Sequence, residues 1–308
     1  MSTRVPVDQL LPPDIDPASI VARVGIVSDT HAPQRLPRLP ATLATAFEGV
    51  DLILHAGDVG ELWVLDQLSA VAPVIAVHGN DESENASAIL PYTQIVTIQG
   101  LRILLWHSHF PNWDEELASR QDDAMEPKLA RIAQQGARYG CKLVIFGHWH
   151  IPLVYQSNNQ SHAQNHGVTV FNPGALASGN ELTRQLRQTA GILFLTAANQ
   201  PHLVHIDLAA PHQPYDPATE PAAGFLANGK RFSTTILSDE LTGPIFALRQ
   251  ALTRAEVLQI RDSILPLAHR CWQGEQTTIS LPQLTQAIAQ DPALPADLKQ
   301  RALAVLGE

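Results

Sequence analysis

A chain of 308 residues, 45% of them hydrophobic, is long enough for about two domains with real cores and too apolar for a disordered protein. Its formal charge of -10, from 20 Lys and Arg against 30 Asp and Glu, lacks the basic footprint of a nucleic-acid binder. No run of about 18 apolar residues exists to span a bilayer. Residues 1–19 lack the apolar core of a signal peptide, and Cys141 and Cys271 are too few to staple the chain, so a cytoplasmic protein with reduced thiols is expected.

After an N-terminal extension, residues 1–19, an apolar run at 21–28 reads as the first strand and stops at Asp29-Thr30-His31. Three prolines lead to a helix expected over 41–48. A second strand at 51–55 ends in Ala56-Gly57-Asp58, and a helix at 61–71 follows with Leu62, Leu65 and Leu68 on its apolar stripe. The third strand, 73–77, ends in His78-Gly79-Asn80-Asp81-Glu82. From Gln94 the period changes: 94–98 and 101–106 read as a hairpin whose second strand ends in His107-Ser108-His109. Residues 110–126 are acidic and are expected as a solvated loop, with a lid carrying Trp113 as the rival reading. A helix at 127–139 leads to a strand at 143–146, buried on both faces, that ends in Gly147-His148-Trp149-His150. A pair of strands at 153–156 and 168–171 flanks a polar loop, 157–167, and runs into Asn172-Pro173-Gly174; strands at 191–196 and 202–207 close the domain at about residue 210. The proline-rich stretch 211–221 is expected as a linker to a helical module, 222–308, with helices over 244–268 (broken near Thr253 or Pro266), after Ser280, and over 295–306.

Five strand ends thus carry metal-ligand residue types. Side chains alternate along an extended backbone, so Asp29 with His31, and His148 with His150, project the same way, and Gly147 lets the chain turn sharply. The collected set is Asp29, His31, Asp58, Asn80, His107, His148 and His150: two carboxylates, one amide oxygen and four imidazoles. Such a mixed set suits Mn, Fe, Zn, Co or Ni better than Ca or Mg alone, and the lack of thiolates argues against a structural zinc cage. Seven side chains are too many for one tetrahedral ion and about right for two ions sharing a bridging carboxylate. Two metals roughly 3.5–4 Å apart hold a hydroxide between them and stabilise both the attacking and the leaving oxygen of an in-line displacement at phosphorus. His55 and His78 are expected as supporting or packing residues, and His162, His166, His202, His205 and His212 as structural or exposed.

With these motifs in this order the chain resembles the calcineurin-like metallophosphoesterases, whose pattern is D-x-H, G-D, G-N-(H/D/C), a later H, and G-H-x-H. Close motif spacing and the Asn172-Pro173-Gly174 turn make it most similar to the small prokaryotic phosphodiesterase branch. The resemblance covers residues 20–208 and implies an α/β fold, a sandwich of two mixed β-sheets flanked by helices. It implies one ion on Asp29, His31, Asp58 and His150, and a second on Asp58, Asn80, His107 and His148, with Asp58 as the bridge. Manganese is expected first, with Fe, Zn, Ni or Co as alternatives, and the substrate is a phosphoester, in all expectation a phosphodiester. One departure stands out. Many members follow the motif asparagine with a histidine that assists the leaving group, whereas this chain has Asp81, which with a pKa near 4 cannot protonate an alkoxide at pH 7. Either His109 or water takes that role, or substrates with good leaving groups are preferred, so Asp58, His109 and Asp81 form the catalytic candidates. The alternative is a protein-binding scaffold with a vestigial metal pocket, in which 222–308 carries a protein partner or self-association.

Overall fold

The computed structural model describes residues 6–157 and 167–307; the first five residues and most of the expected 157–167 loop, with His162 and His166, lie outside the described residues. Its strands are β1 (Ile20–Val27), β2 (Leu52–His55), β3 (Val74–Ala76), β4 (Thr93–Ile98), β5 (Leu101–Trp106), β6 (Leu143–Phe146), β7 (Leu153–Gln156), β8 (Thr169–Asn172), β9 (Thr183–Gln185), β10 (Thr189–Thr196), β11 (Pro201–Asp207), β12 (Pro214–Tyr215) and β13 (Ser233–Thr235). The helices are α1 (Ala41–Ala46), α2 (Trp63–Ser69), α3 (Glu84–Ile89), α4 (Trp113–Gln121), α5 (Glu126–Arg138), α6 (Gly224–Gly229), α7 (Thr242–Ala251), α8 (Arg254–Trp272), α9 (Leu281–Gln290) and α10 (Ala296–Leu306).

Two mixed sheets form the expected α/β sandwich. One has the order β12-β11-β10-β1-β2-β3, the other β4-β5-β6-β8-β7. In the first, β1, β2 and β3 are parallel; in the second, β5, β6 and β8 are parallel. The carboxyl ends of these parallel strands carry the five motifs, and ligands in open α/β sheets collect at such ends. Strand β6 shows why its residues are all apolar: Leu143 and Ile145 face the core between the sheets with Val24, Ile26 and Leu54, while Val144 and Phe146 face Leu129 and Ile132 of α5. Both faces are covered, so alternation is lost. Helices α1 and α2 cover the outer face of the other sheet through Leu43, Val64 and Leu68. Each fully buried side chain of this kind contributes about 1.5–3 kcal/mol.

Residues 113–121 of the expected 110–126 loop form helix α4. Asn112 caps α4 by accepting from Asp114 N and Glu115 N, and three acids fill its first turn, where they favour the helix N-terminus. The chain divides into two compact units, residues 1–177 with 186–232, and residues 178–185 with 233–308. Residues 214 and 215, inside the expected linker, pair as β12 with β11, and residues 183–185 pair with β13. In the second unit the expected long helix splits at Thr253, whose capping box with Glu256 starts α8, while Pro266 stays inside α8. Its core is Ile236, Leu241, Ile264, Leu284, Ile288 and Leu298, among others. Among the described residues no helix is long and apolar enough to cross a membrane.

Candidate metal centre

Backbone conformation singles out the strand ends. Nine residues other than glycine have positive φ among the described residues, and five of them are expected ligands: Asp29 (54°), His31 (46°), Asp58 (52°), His148 (74°) and His150 (56°). Left-handed backbone costs an L-residue about 1–2 kcal/mol, less for Asp, and such strain collects at functional sites. Gly57 also has positive φ, and a Cβ there would lie 2.6 Å from His107 Nδ1. Gly147 does not have positive φ; its need is close approach, since a Cβ would come within 2.6 Å of Ala56 O and 2.9 Å of Asp29 Oδ2. The chain bends directly after it, where Trp149 N donates to Gly147 O at 2.9 Å.

Asp29, His31 and His150 offer ligand atoms all within 4.8 Å of one another, and so do Asp29, Asp58 and His107. His150 Nε2 lies 3.1 Å from Asp29 Oδ1 and 3.3 Å from His31 Nε2. Asp58 Oδ2 lies between the groups, 3.4 Å from His31 Nε2 and 3.2 Å from His107 Nε2. Ring orientation is set from behind: His107 Nδ1 donates to Ala56 O at 2.8 Å and His150 Nδ1 to Ala177 O at 2.9 Å. Those acceptors assign the Nδ1–H tautomer and turn the Nε2 lone pairs inward. His107 Nε2 is a buried nitrogen without a hydrogen-bond partner. Two buried carboxylates and convergent imidazole nitrogens are a donor set for divalent cations, so the residues fit the ions the motifs imply.

The electrostatics agree. Burial works to raise the Asp29 carboxyl, yet His150 and His107 hold it down at about 2. Asp58 is likewise held well below the usual range against its burial, by His107 and His31. Burial would lower His107, but the Asp58 carboxylate pushes it up to about 9. The pocket is built for positive charge.

The other expected residues fall around this pair of groups. His148 is outside both: its ring is 5.0 Å from that of His107, its backbone N donates to Asp29, and its Nε2 is taken by Glu116. Asn80 is exposed, on the segment held against Asp58 by Asp81 N, which donates to Asp58 Oδ1 at 2.8 Å. Asp81 lies beside His31 Nδ1 at 3.1 Å and is bound by the Arg35 guanidinium. Burial raises the Asp81 carboxyl, but His31 and Arg35 lower it further, so it stays ionised. His109 is buried against Tyr92, His78 and His107, and burial with the neighbouring His107 and His148 pushes it down to about 3. His55 Nε2 is paired with Thr30 Oγ1 at 2.6 Å, and His78 Nδ1 donates to Gly79 O, so both support the strand ends. Asn172 Nδ2 donates to Gly147 O, which ties the Asn-Pro-Gly turn to the histidine loop. Arg35 and Glu116 were not legible as site residues; the signal for Glu116 was its i, i+4 spacing from Arg120 behind a capping asparagine.

Parallel strands of two packed sheets thus end in a donor set that could hold divalent cations. Residues 23–196 match the calcineurin-like phosphoesterase superfamily domain, and the chain belongs to that family. The probable metallophosphoesterase of Methanothermobacter thermautotrophicus is 28% identical over 153 residues, 49% of this chain and 76% of that protein. Its counterpart in Methanocaldococcus jannaschii is 30% identical over 154 residues, 49% of this chain and 67% of that protein. Both relatives are archaeal, in keeping with the prokaryotic branch. Among solved structures, Vps29 of Chaetomium thermophilum is similar with a TM-score of 0.42 at 14% identity, over 61% of this chain and 96% of that chain. Vps29 of Cryptosporidium parvum is similar with a TM-score of 0.44 at 17% identity, over 61% of this chain and 98% of that chain.

Proposed function

We propose that the chain is a phosphodiesterase that works with two divalent ions, manganese first among the candidates, on a cytoplasmic phosphoester. The observation that carries this reading is Asp58, whose carboxylate lies within 3.4 Å of His31 Nε2 and 3.2 Å of His107 Nε2 and so can serve an ion on either side. Asp29, His31 and His150 would complete one ion's ligands; Asn80, His107 and His148 would complete the other's. Bound there, the ions supply Lewis acidity toward phosphoryl oxygens and bring a water's pKa toward neutrality. The protein's own part is orientation. Ala56 O and Ala177 O hold the His107 and His150 rings, and Asp81 and Arg35 flank His31 Nδ1 and hold that ring.

This changes the reading of Asp81. Its charge is matched by Arg35, so it neither donates a proton nor strongly repels a substrate phosphate. His109, neutral down to about pH 3, is also a poor proton store in the free protein. Esters with good leaving groups, aryl or cyclic, are therefore the favoured substrates. The same absence of a ready acid favours the second reading, a scaffold that keeps the pocket without turnover. Hydrolysis of bis-p-nitrophenyl phosphate by metal-stripped protein, with and without added Mn²⁺ and in parallel with Asp58→Asn, separates the two. Mn-dependent turnover that falls by about 100-fold or more in the variant is expected. No turnover with Mn, Ni, Co or Zn in folded, ion-loaded protein would favour the scaffold.

A further inference from the structure

Two imidazoles of the centre, His107 and His150, commit Nδ1 outward and present Nε2. His148 is turned the other way. Its Nε2 donates to Glu116 Oε1 at 2.7 Å, and Glu116 is itself 2% exposed. That carboxylate is held from two further sides, by Arg120 Nε at 2.6 Å and by Phe110 N at 2.9 Å. A neutral imidazole whose Nε2 carries the proton has only Nδ1 left to give to a cation. The helix that brings Glu116 is unusual in the same respect. Of the nine residues of α4, Glu116 is the only buried one, while Trp113 and Leu117 are 43% exposed. A nine-residue helix without an apolar face is marginal by itself, and the buried carboxylate, with Lys128 Nζ donating to Ser119 O at 2.7 Å, docks it.

We propose that Glu116 is a positioning residue that locks His148 as the Nε2–H tautomer, so that His148 binds the second ion through Nδ1 and ion binding is coupled to docking of α4. The inference rests on the two-ion reading of the centre. A carboxylate on the far nitrogen makes an imidazole a stronger ligand, and a cation at Nδ1 in turn makes Nε2–H a stronger donor to Glu116. Loading the site should therefore tighten α4, and loosening α4 should weaken the second ion.

The test is long-range ¹H–¹⁵N spectroscopy of histidine-labelled protein, ion-free and with one and two equivalents of Zn²⁺, combined with amide exchange of α4 and Zn²⁺ titration of Glu116→Ala and Glu116→Gln. The expected result is an Nε2–H tautomer of His148 in ion-free protein, a shift of its Nδ1 with the second equivalent, and slower exchange across α4. Glu116→Ala should weaken the second Zn²⁺ by about 10- to 100-fold and leave the first unchanged, with Glu116→Gln in between, since it keeps an acceptor without the charge. An Nδ1–H tautomer in the wild-type protein, which needs no variant to fold, overturns the proposal. So does unchanged affinity for the second Zn²⁺ in both variants. Absence of hydrolysis with these spectra as expected would instead remove the phosphodiesterase reading and leave Glu116 in its role.

Discussion

Asp81 shows how one residue changes meaning between a motif and a folded site. Read along the chain it is a missing general acid; in the fold its carboxylate joins Arg35, 46 positions earlier, to His31, 50 positions earlier. A carboxylate that accepts from the outward nitrogen of a ligand histidine fixes the ring and raises its basicity. Asp81→Ala should therefore weaken binding of Mn²⁺ by about 10- to 100-fold in calorimetry, with the far-UV circular dichroism unchanged. Affinity equal to that of the wild type would mean that His31 is oriented without it. The strained φ angles of Asp29, His31, Asp58 and His150 belong to the same scale: these four side chains converge on one point, and the glycines around them leave the room.

Helix α4 was hidden by its composition. Its residues show no apolar periodicity, which is the main signal for a helix, and its acids read as a solvated loop. The local signals were there in Asn112, in Asp114, Glu115 and Glu116 of the first turn, and in Glu116 four residues before Arg120. Asn112→Ala removes the acceptor for Asp114 N and Glu115 N and should cost about 1 kcal/mol. Exchange of α4 amides should then speed up roughly fivefold while those of α5 stay as they were. Equal exchange in both proteins would show that the cap does not limit opening of this helix. By contrast β6, with four apolar residues ending at a glycine, was legible because a strand covered on both faces leaves no other residue choice.

On the scale of the whole sandwich, His205 links its two sheets. From β11 its Nε2 donates to Asn172 O at the end of β8, at 2.8 Å, and its ring stacks on Phe171. Burial pushes this imidazole from 6.5 down to about 4, more than its bond to Asn172 raises it. Above pH 6.5 the ring is neutral whether the chain is folded or not. As the pH falls from 6.5 toward about 4 the unfolded ring takes up a proton that the folded ring refuses, so stability drains away through that window, by on the order of 3 kcal/mol in full. Urea unfolding followed from pH 7 to pH 4 should show this loss, and His205→Gln should flatten it. An unchanged slope in the variant would assign the pH dependence to other groups.

The sequence by itself determined the family and the residue types of the centre, because strand ends, glycine punctuation and i, i+2 spacing are local properties that alternation makes readable. The resemblance carried by those motifs also implied the two mixed sheets. Only the tertiary structure decided which partners stand behind the ligands: Glu116 behind His148, Asp81 and Arg35 behind His31, and the carbonyls of Ala56 and Ala177 behind His107 and His150. Apart from Arg35, one helical turn beyond His31, these lie from 27 to 51 positions away from the histidines they orient. Period and composition say which face of an element is buried; which distant polar group meets another across that buried face is settled only when the sheets and helices pack.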